Sequence, residues 1–121
     1  MSDYSFKELY NNQMLNQATM LYKGMYGLGK AQHITLPQDD IHLSSYHIQQ
    51  LVSEIGEVLD ADKRWKNFRN DKYERQDKLE ELADCFIVLM NVCMYSGFTF
   101  EEVYNMIAEK IDTVRDRVGE V

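Results

Sequence analysis

The chain has 121 residues, of which 45% are hydrophobic and 27% charged, and its formal net charge at pH 7 is −7. This length fits a single domain over residues 1–121, and the composition is that of a soluble globular protein. The acidic charge argues against duplex nucleic acid or an anionic membrane surface as the main partner. No apolar run approaches the roughly 18 residues of a membrane span, and the N-terminus shows no secretory pattern. Cys85 and Cys93 are the only cysteines, and we expect free thiols in the reducing cytoplasm.

Apolar residues at helical spacing, with one proline and six glycines mostly between them, predict an all-α bundle of four to five helices. The first helix is expected over about 4–26 and should end at Gly27-Leu28-Gly29. Ser44 or Ser45 is expected to cap the second helix, which should end near 65–68.

A polar loop over 69–72 is expected to precede the third helix, which starts near residue 74 and stops at Gly97. Thr99 followed by Glu102 forms a capping-box pattern, and it predicts a fourth helix to about residue 118.

The second half of the third helix, residues 85–95, is apolar on nearly every face. A helix of this kind is buried all round, and a four-helix chain of this size cannot easily surround one of its own helices. Burial against a second copy predicts a homo-oligomer, either a dimer or a tetramer. Val88, Val92 and Tyr95 are the residues expected to contact the partner.

Two pairs of carboxylates stand three residues apart, Glu54 with Glu57 and Glu81 with Asp84, which places each pair on one helix face. Apolar positions beside each pair indicate that the carboxylates point partly inward. Several buried carboxylates need a compensating cation. Mg²⁺ takes oxygen ligands from carboxylates, waters and phosphates, so the pattern predicts a Mg²⁺ site, with Mn²⁺ as a possible substitute. His47 lies on the same line of the second helix.

Two other interpretations of these carboxylates stay open. They can form a solvated face with salt bridges to neighbouring basic residues. A di-iron carboxylate bundle is a further alternative, but such a bundle needs Glu-x-x-His on two helices, and all three histidines precede the first acidic pair.

The basic residues are unevenly distributed and indicate a phosphate-bearing ligand. One group ends the fourth helix and includes Lys110 and Arg115. Seven of the thirteen lie between the acidic pairs: Lys63, Arg64, Lys66, Arg69, Lys72, Arg75 and Lys78.

The arrangement Glu54-x-x-Glu57, 23 residues, then Glu81-x-x-Asp84 resembles the signature of the all-α NTP pyrophosphatase superfamily. This superfamily includes MazG proteins, dimeric dUTPases, dCTP pyrophosphatases and phosphoribosyl-ATP pyrophosphatases. The resemblance runs from about residue 46 to 117 and implies a MazG-like bundle. It also implies that the four carboxylates are both the metal ligands and the catalytic residues.

The same resemblance implies roles for the substrate-binding residues. Lys110 and Arg115 correspond to basic residues that bind phosphate, and Trp65 corresponds to an aromatic residue after the first motif. Lys66 and His47 complete the predicted substrate-binding set.

The implied reaction is Mg²⁺-dependent hydrolysis of an NTP or dNTP to the monophosphate and pyrophosphate, with attack at the α-phosphorus. The expected role is nucleotide-pool house-cleaning. Two alternatives stay open: a phosphoribosyl-ATP pyrophosphatase-like enzyme, and a non-catalytic helical assembly module.

Overall fold

A computed structural model describes residues 4–68 and 72–119 of the chain. Within these ranges there is no strand, which confirms the all-α prediction. The elements are α1 (Phe6–Tyr22), α2 (Ile41–Ala61), a 3₁₀ helix (Lys63–Phe68), α3 (Arg75–Tyr95) and α4 (Phe100–Gly119). The loop predicted over 69–72 lies outside the described residues except for its last position.

The first helix ends four residues earlier than the sequence predicts. Its last residue is Tyr22, and Lys23 caps it through backbone hydrogen bonds to the preceding turn. Gly24 follows with φ +74°, and a Cβ at this position would lie 2.9 Å from the carbonyl carbon of Gly29. The chain therefore turns here because a glycine permits both the left-handed backbone and the close approach.

The second helix begins at Ile41, and the prediction that Ser44 or Ser45 caps it is wrong. Asp40 is the cap, since its Oδ1 accepts from the backbone N–H of His42 at 3.0 Å and of Leu43 at 3.1 Å. The helix ends at Ala61 rather than near 65–68, where the chain instead forms the 3₁₀ helix.

The capping box that opens α4 is confirmed. The backbone N–H of Glu102 donates to Thr99 Oγ1 at 3.2 Å, and that of Thr99 donates to Glu102 Oε1 at 3.1 Å. Gly97 makes the preceding turn with φ +83°. The turn sends α4 away from α3 at 115°.

The core lies where α2 packs along α3 and α1 packs across α3. The start of α4 joins α1 through the rings of Phe6, Tyr10 and Phe100, whose centroids lie 5.3 to 6.5 Å apart. Burial raises the pKa of Tyr10 to about 12, and its hydroxyl donates to the Phe98 carbonyl at 2.8 Å. The buried apolar residues are Tyr10, Ala18, Leu43, Val88, Met94 and Tyr95.

Much apolar surface stays uncovered by this small core. The chain exposes 9445 Å². A compact monomer of 14.3 kDa exposes about 6,800 Å², so the excess is roughly 2,600 Å². No described residue of α4 is buried.

One exposed line on α2 has the spacing of a helix–helix seam. We call these four residues the α2 seam, and they follow one another at intervals of four, three and four residues. The α2 seam consists of Ile48, Val52, Ile55 and Leu59, all exposed.

The choice of Val88 and Tyr95 as partner contacts is wrong, because both are buried inside their own chain. Within the apolar run of α3 the exposed large side chains are instead Phe86, Ile87 and Leu89, and Leu79 and Leu82 are exposed earlier on the same helix. The apolar run of α3 thus divides between the chain's own core and its surface.

Among the described residues no single helix is long and apolar enough to cross a membrane. Only α3 and α4 taken together, as a pair bent by 115°, meet the length and composition limits.

Candidate metal centre and adjoining pocket

Three carboxylates from two helices meet between α2 and α3. Glu54, Glu81 and Asp84 each place one oxygen within 4.8 Å of the other two. Glu54 and Glu81 are partly buried, whereas Asp84 is exposed. The close packing of α2 along α3 brings Glu54 to the pair on α3, whose i,i+3 spacing puts both carboxylates on one face. We call these three residues the acidic cluster.

The structure does not include the fourth predicted ligand, Glu57, in this cluster. Glu57 is exposed, and its carboxylate is not among the three that share the 4.8 Å limit. It lies close enough for its charge to act on the pKa of Glu81. Glu57 therefore borders the cluster, and its role as a metal ligand stays a prediction.

Partial burial and the neighbouring negative charges both disfavour the ionised form of Glu81 in the cluster. The pKa of Glu81 is raised, first by partial burial and then by the charges of Glu57, Asp84 and Glu54. Over residues 4–68 and 72–119 no basic side chain forms an ion pair with the three clustered carboxylates. The alternative predicted from sequence, a solvated face on which these carboxylates form salt bridges, is therefore not observed among the described residues.

The geometry fits a hard divalent cation. Mg²⁺ and Ca²⁺ bind oxygen at roughly 2.0–2.6 Å, so two ligands of one ion lie at most about 5 Å apart. The 4.8 Å limit satisfies this condition. An all-oxygen set suits Mg²⁺, Mn²⁺ or Ca²⁺ better than the nitrogen- and sulfur-rich sites of Zn²⁺.

Next to the cluster, a buried polar network holds His47 in place. The imidazole is 2% exposed and stacks on Tyr95, with ring centroids 5.3 Å apart and planes 5° from parallel. The hydroxyls of Tyr26 and Tyr95 both donate to Gln17 Oε1. Because Tyr26 gives its only proton to Gln17, its oxygen accepts from His47 Nε2, 3.1 Å away. His47 Nδ1 is therefore the unprotonated acceptor.

Burial lowers the pKa of His47, and a weak side-chain interaction with Gln50 opposes this shift only in part, so the neutral imidazole is favoured at pH 7. Its Nδ1 is buried and has no hydrogen-bond partner among the described residues. His47 thus lies in the wall beside the cluster as a neutral group. Its direct contact with substrate stays a prediction.

A pocket of about 330 Å³ joins the acidic cluster to this network. Glu54 and Asp84 line one part of the pocket. The remaining lining is uncharged and includes the side-chain amides of Gln13, Gln50 and Asn91. One concave site therefore combines cation ligands with neutral hydrogen-bonding groups.

Two of the basic residues between the acidic pairs are used structurally. Buried Asp62 accepts from Arg64 at 2.8 and 2.7 Å and from Lys78 Nζ at 2.7 Å. The Arg64 guanidinium also lies 3.8 Å from the centre of the Tyr73 ring. The hydrogen bonds from Arg64, and then the one from Lys78, hold the pKa of Asp62 well below its ordinary range. Through Asp62, Lys78 connects the end of α2 to α3, and Arg64 stabilises the same carboxylate. Both cationic side chains are therefore occupied by Asp62 in this structure.

The predicted substrate residues Trp65 and Lys66 lie in the 3₁₀ helix, and both are exposed. Trp65 Nε1 donates to the Leu59 carbonyl at 3.1 Å, which fixes the indole against the end of α2. Neither residue lines the pocket beside the cluster. Their contacts with substrate stay predictions.

Lys110 and Arg115 are not brought to the acidic cluster within one chain. Both are exposed on α4, whose main helix contact is with α1. Arg115 pairs with Asp112 on its own helix at 3.3 Å, and both side chains are largely exposed. Their assignment to phosphate stays a prediction.

Sequence reasoning missed the polar residues of the pocket that come from α1 and from the middle of α3. Gln13 and Gln17 lie in a segment with no recognisable motif. Asn91 had a detectable signal, since it is the only amide in the apolar run 85–95. A lone amide inside such a run needs a partner, and here Gln13 Nε2 donates to its Oδ1 at 3.0 Å.

Fold and site together define an all-helical protein with a carboxylate cluster suited to a divalent cation. The family model of the MazG nucleotide pyrophosphohydrolase domain matches residues 44–119, which contain all four predicted carboxylates. The chain belongs to this family, and the resemblance predicted from its motifs is confirmed. MazG domains are nucleotide pyrophosphohydrolases that generally use divalent metals. No curated protein and no solved structure matches the chain.

Proposed function

We propose that this protein is a Mg²⁺-dependent nucleoside triphosphate pyrophosphohydrolase that converts an NTP or dNTP to the monophosphate and pyrophosphate. The observation that carries the proposal is the position of the acidic cluster. It lies beside a pocket whose other lining residues are uncharged, and all its members belong to the residues that match the MazG family model. Nucleotide-pool house-cleaning in the cytoplasm is the corresponding cellular role, and the two free cysteines are compatible with that compartment.

Each carboxylate has a task in this proposal. Glu54, Glu81 and Asp84 hold the cation, which when bound neutralises triphosphate charge and lowers the pKa of a coordinated water. Glu57 borders the cluster without belonging to it, so it is available to orient the attacking water and take its proton. Family membership supports attack at the α-phosphorus, with pyrophosphate as the leaving group.

The proposal includes a homo-oligomer. Two copies together carry an excess exposed surface of roughly 5,200 Å², which is at the upper end of what obligate interfaces bury. The α2 seam is self-complementary in spacing, so two copies related by a two-fold axis can pack seam against seam. A dimer through α2 is the smallest assembly that covers it.

A second subunit also gives the basic residues of α4 a role. Lys110 and Arg115 are exposed on α4, whose axis is bent by 115° from that of α3. In an oligomer the α4 of one copy can reach the acidic cluster of the next, where cationic side chains hold phosphate oxygens. Their replacement by alanine should weaken binding of all nucleotides similarly.

The test is pyrophosphate release from a panel of NTPs and dNTPs, with and without Mg²⁺. Glu54→Gln and Asp84→Asn should abolish release while leaving helicity unchanged, because each removes a ligand charge and keeps the side-chain shape. Glu80→Gln is the matched control, because Glu80 is exposed on the same helix and lies outside the cluster.

Full activity in a folded Glu54→Gln or Asp84→Asn protein would remove that residue from the site. A wild-type protein that releases no pyrophosphate from any nucleotide, with or without Mg²⁺, would support the non-catalytic assembly module. Release from phosphoribosyl-ATP alone would support the phosphoribosyl-ATP pyrophosphatase alternative.

A further inference from the structure

We propose that Asn91 is a specificity-determining residue that donates an amide N–H to an acceptor atom of the nucleobase. The base would occupy the pocket beside the acidic cluster. This inference rests on the proposed function and deepens it, because it assigns a place and a recognising group to the nucleoside part of the substrate.

The charged residues of the pocket lie together in one part of its lining, and the remaining lining residues are uncharged. Its acidic part, with Glu54 and Asp84, suits a cation and the phosphates attached to it. The rest of the lining is uncharged, and His47 belongs to it as a neutral imidazole. Among the described lining residues a triphosphate would find no cationic partner, whereas a neutral heterocycle with donor and acceptor edges matches side-chain amides.

A chain of hydrogen-bonded amides orients Asn91. Asn16 Nδ2 donates to Gln13 Oε1 at 3.1 Å, and Gln13 Nε2 donates to Asn91 Oδ1 at 3.0 Å. Asn91 is 4% exposed, and its Nδ2 has no hydrogen-bond partner among the described residues. This nitrogen is not sealed off as His47 Nδ1 is. The amide chain therefore ends in a free donor at the pocket.

The position of Asn91 along α3 fits a nucleotide. Asn91 follows the cluster residue Asp84 by seven residues, which is two helical turns on the same face. Two turns correspond to roughly 10 Å along the axis. A nucleotide bridges a distance of this order when its phosphates lie at the cluster and its base lies at the amide.

The opposite wall supplies a second, independent observation. His47 Nδ1 is a buried acceptor without a partner among the described residues, and such a group is uncommon in a completed interior. Gln50 lines the same pocket, and its side chain already acts on the pKa of this imidazole. A base that contacts Gln50 would therefore also change the hydrogen bonding of the wall that holds His47.

The experiment compares wild type with Asn91→Leu, which keeps the approximate volume and removes the amide. KM and kcat are measured for four dNTPs that differ only in their base, and the Kd of Mg²⁺–tripolyphosphate, which has no nucleoside, is measured by calorimetry. Asn11→Leu is the matched control, because Asn11 is an exposed residue of α1 outside this pocket.

The expected result for Asn91→Leu is a KM about tenfold higher for the preferred dNTP and a smaller spread among the four bases. The Kd of Mg²⁺–tripolyphosphate and kcat should change little, and the control should match wild type. If Asn91→Leu does not fold, Gln13→Met serves instead. It should also reduce the differences in KM among the four dNTPs, because it removes the group that orients the Asn91 amide.

If the differences in KM among the four dNTPs are unchanged in a folded variant, the proposal is overturned. Equal weakening of Mg²⁺–tripolyphosphate also overturns it, because the effect would then be structural or directed at phosphate. An effect that disappears with 2′,3′-dideoxynucleotides would assign the contact to the sugar instead. If wild type neither binds Mg²⁺–tripolyphosphate nor releases pyrophosphate, the proposed function itself has failed.

Discussion

Substitution of Val52 by glutamate tests whether the α2 seam is an interface. Val52 is 67% exposed in the single chain, so Val52→Glu should leave an isolated protomer folded. In a seam-to-seam dimer the same change removes apolar burial and places a carboxylate in an apolar contact. Val88→Glu is a poor test, because Val88 is buried in its own chain and the change would unfold the protomer.

The magnitude follows from the exposed fraction. Full burial of a valine side chain contributes about 1.5 kcal/mol, and two thirds of this is roughly 1 kcal/mol per copy. Burying an unpaired carboxylate costs several kcal/mol more. Over two symmetry-related copies the loss is at least about 6 kcal/mol, which raises the dimer Kd by roughly 10⁴-fold.

Sedimentation velocity over a range of micromolar concentrations measures this Kd for wild type and Val52→Glu. The matched control is Ser53→Glu, which adds the same charge at the next, exposed residue and lies off the seam. The control should sediment as wild type does. A Val52→Glu protein that dimerises like wild type would refute the seam, and a monomeric, active wild type would refute the oligomer altogether.

Three further predictions concern single side chains. Partial burial and neighbouring carboxylates raise the pKa of Glu81, so Glu81→Gln should raise the melting temperature of the metal-free protein. The same change removes a metal ligand and should abolish any rise in melting temperature on adding Mg²⁺. An unchanged response to Mg²⁺ would place the metal elsewhere. Asp62→Asn should lower the melting temperature at pH 7. Because Arg64 holds the pKa of Asp62 low, its contribution is present above about pH 4 and is lost as the pH falls, so the wild type and variant melting curves should converge in acid. Tyr10→Phe should reduce the free energy of unfolding by about 1 kcal/mol in urea denaturation, through loss of the hydrogen bond to the Phe98 carbonyl; no change would mean that water replaces this bond.

The helices and the carboxylate motifs could be predicted from the sequence because both depend on local periodicity. The capping box of Thr99 and Glu102 is confirmed for this reason, since all its atoms lie within one turn. The boundary at Asp40 was missed because Ser44 and Ser45 are equally good caps by residue type. Tertiary contacts decide between them: the backbone N–H of Asp40 donates to the Tyr95 carbonyl at 2.9 Å and fixes the start of α2 there.

The residues of the candidate site also fall into those that the sequence predicted and those that only the tertiary structure shows. By itself the sequence predicted that Glu54, Glu57, Glu81 and Asp84 point partly inward and that the chain is a MazG-like helical protein. Three of them meet in the acidic cluster, of which Asp84 is exposed, whereas Glu57 is exposed outside it. Only the tertiary structure decided which groups share the pocket with them, because Gln13 and Asn91 are 78 residues apart and carry no common pattern. Periodicity reports which way a side chain faces on its own helix, but only the packing of α1, α2 and α3 determines what it meets.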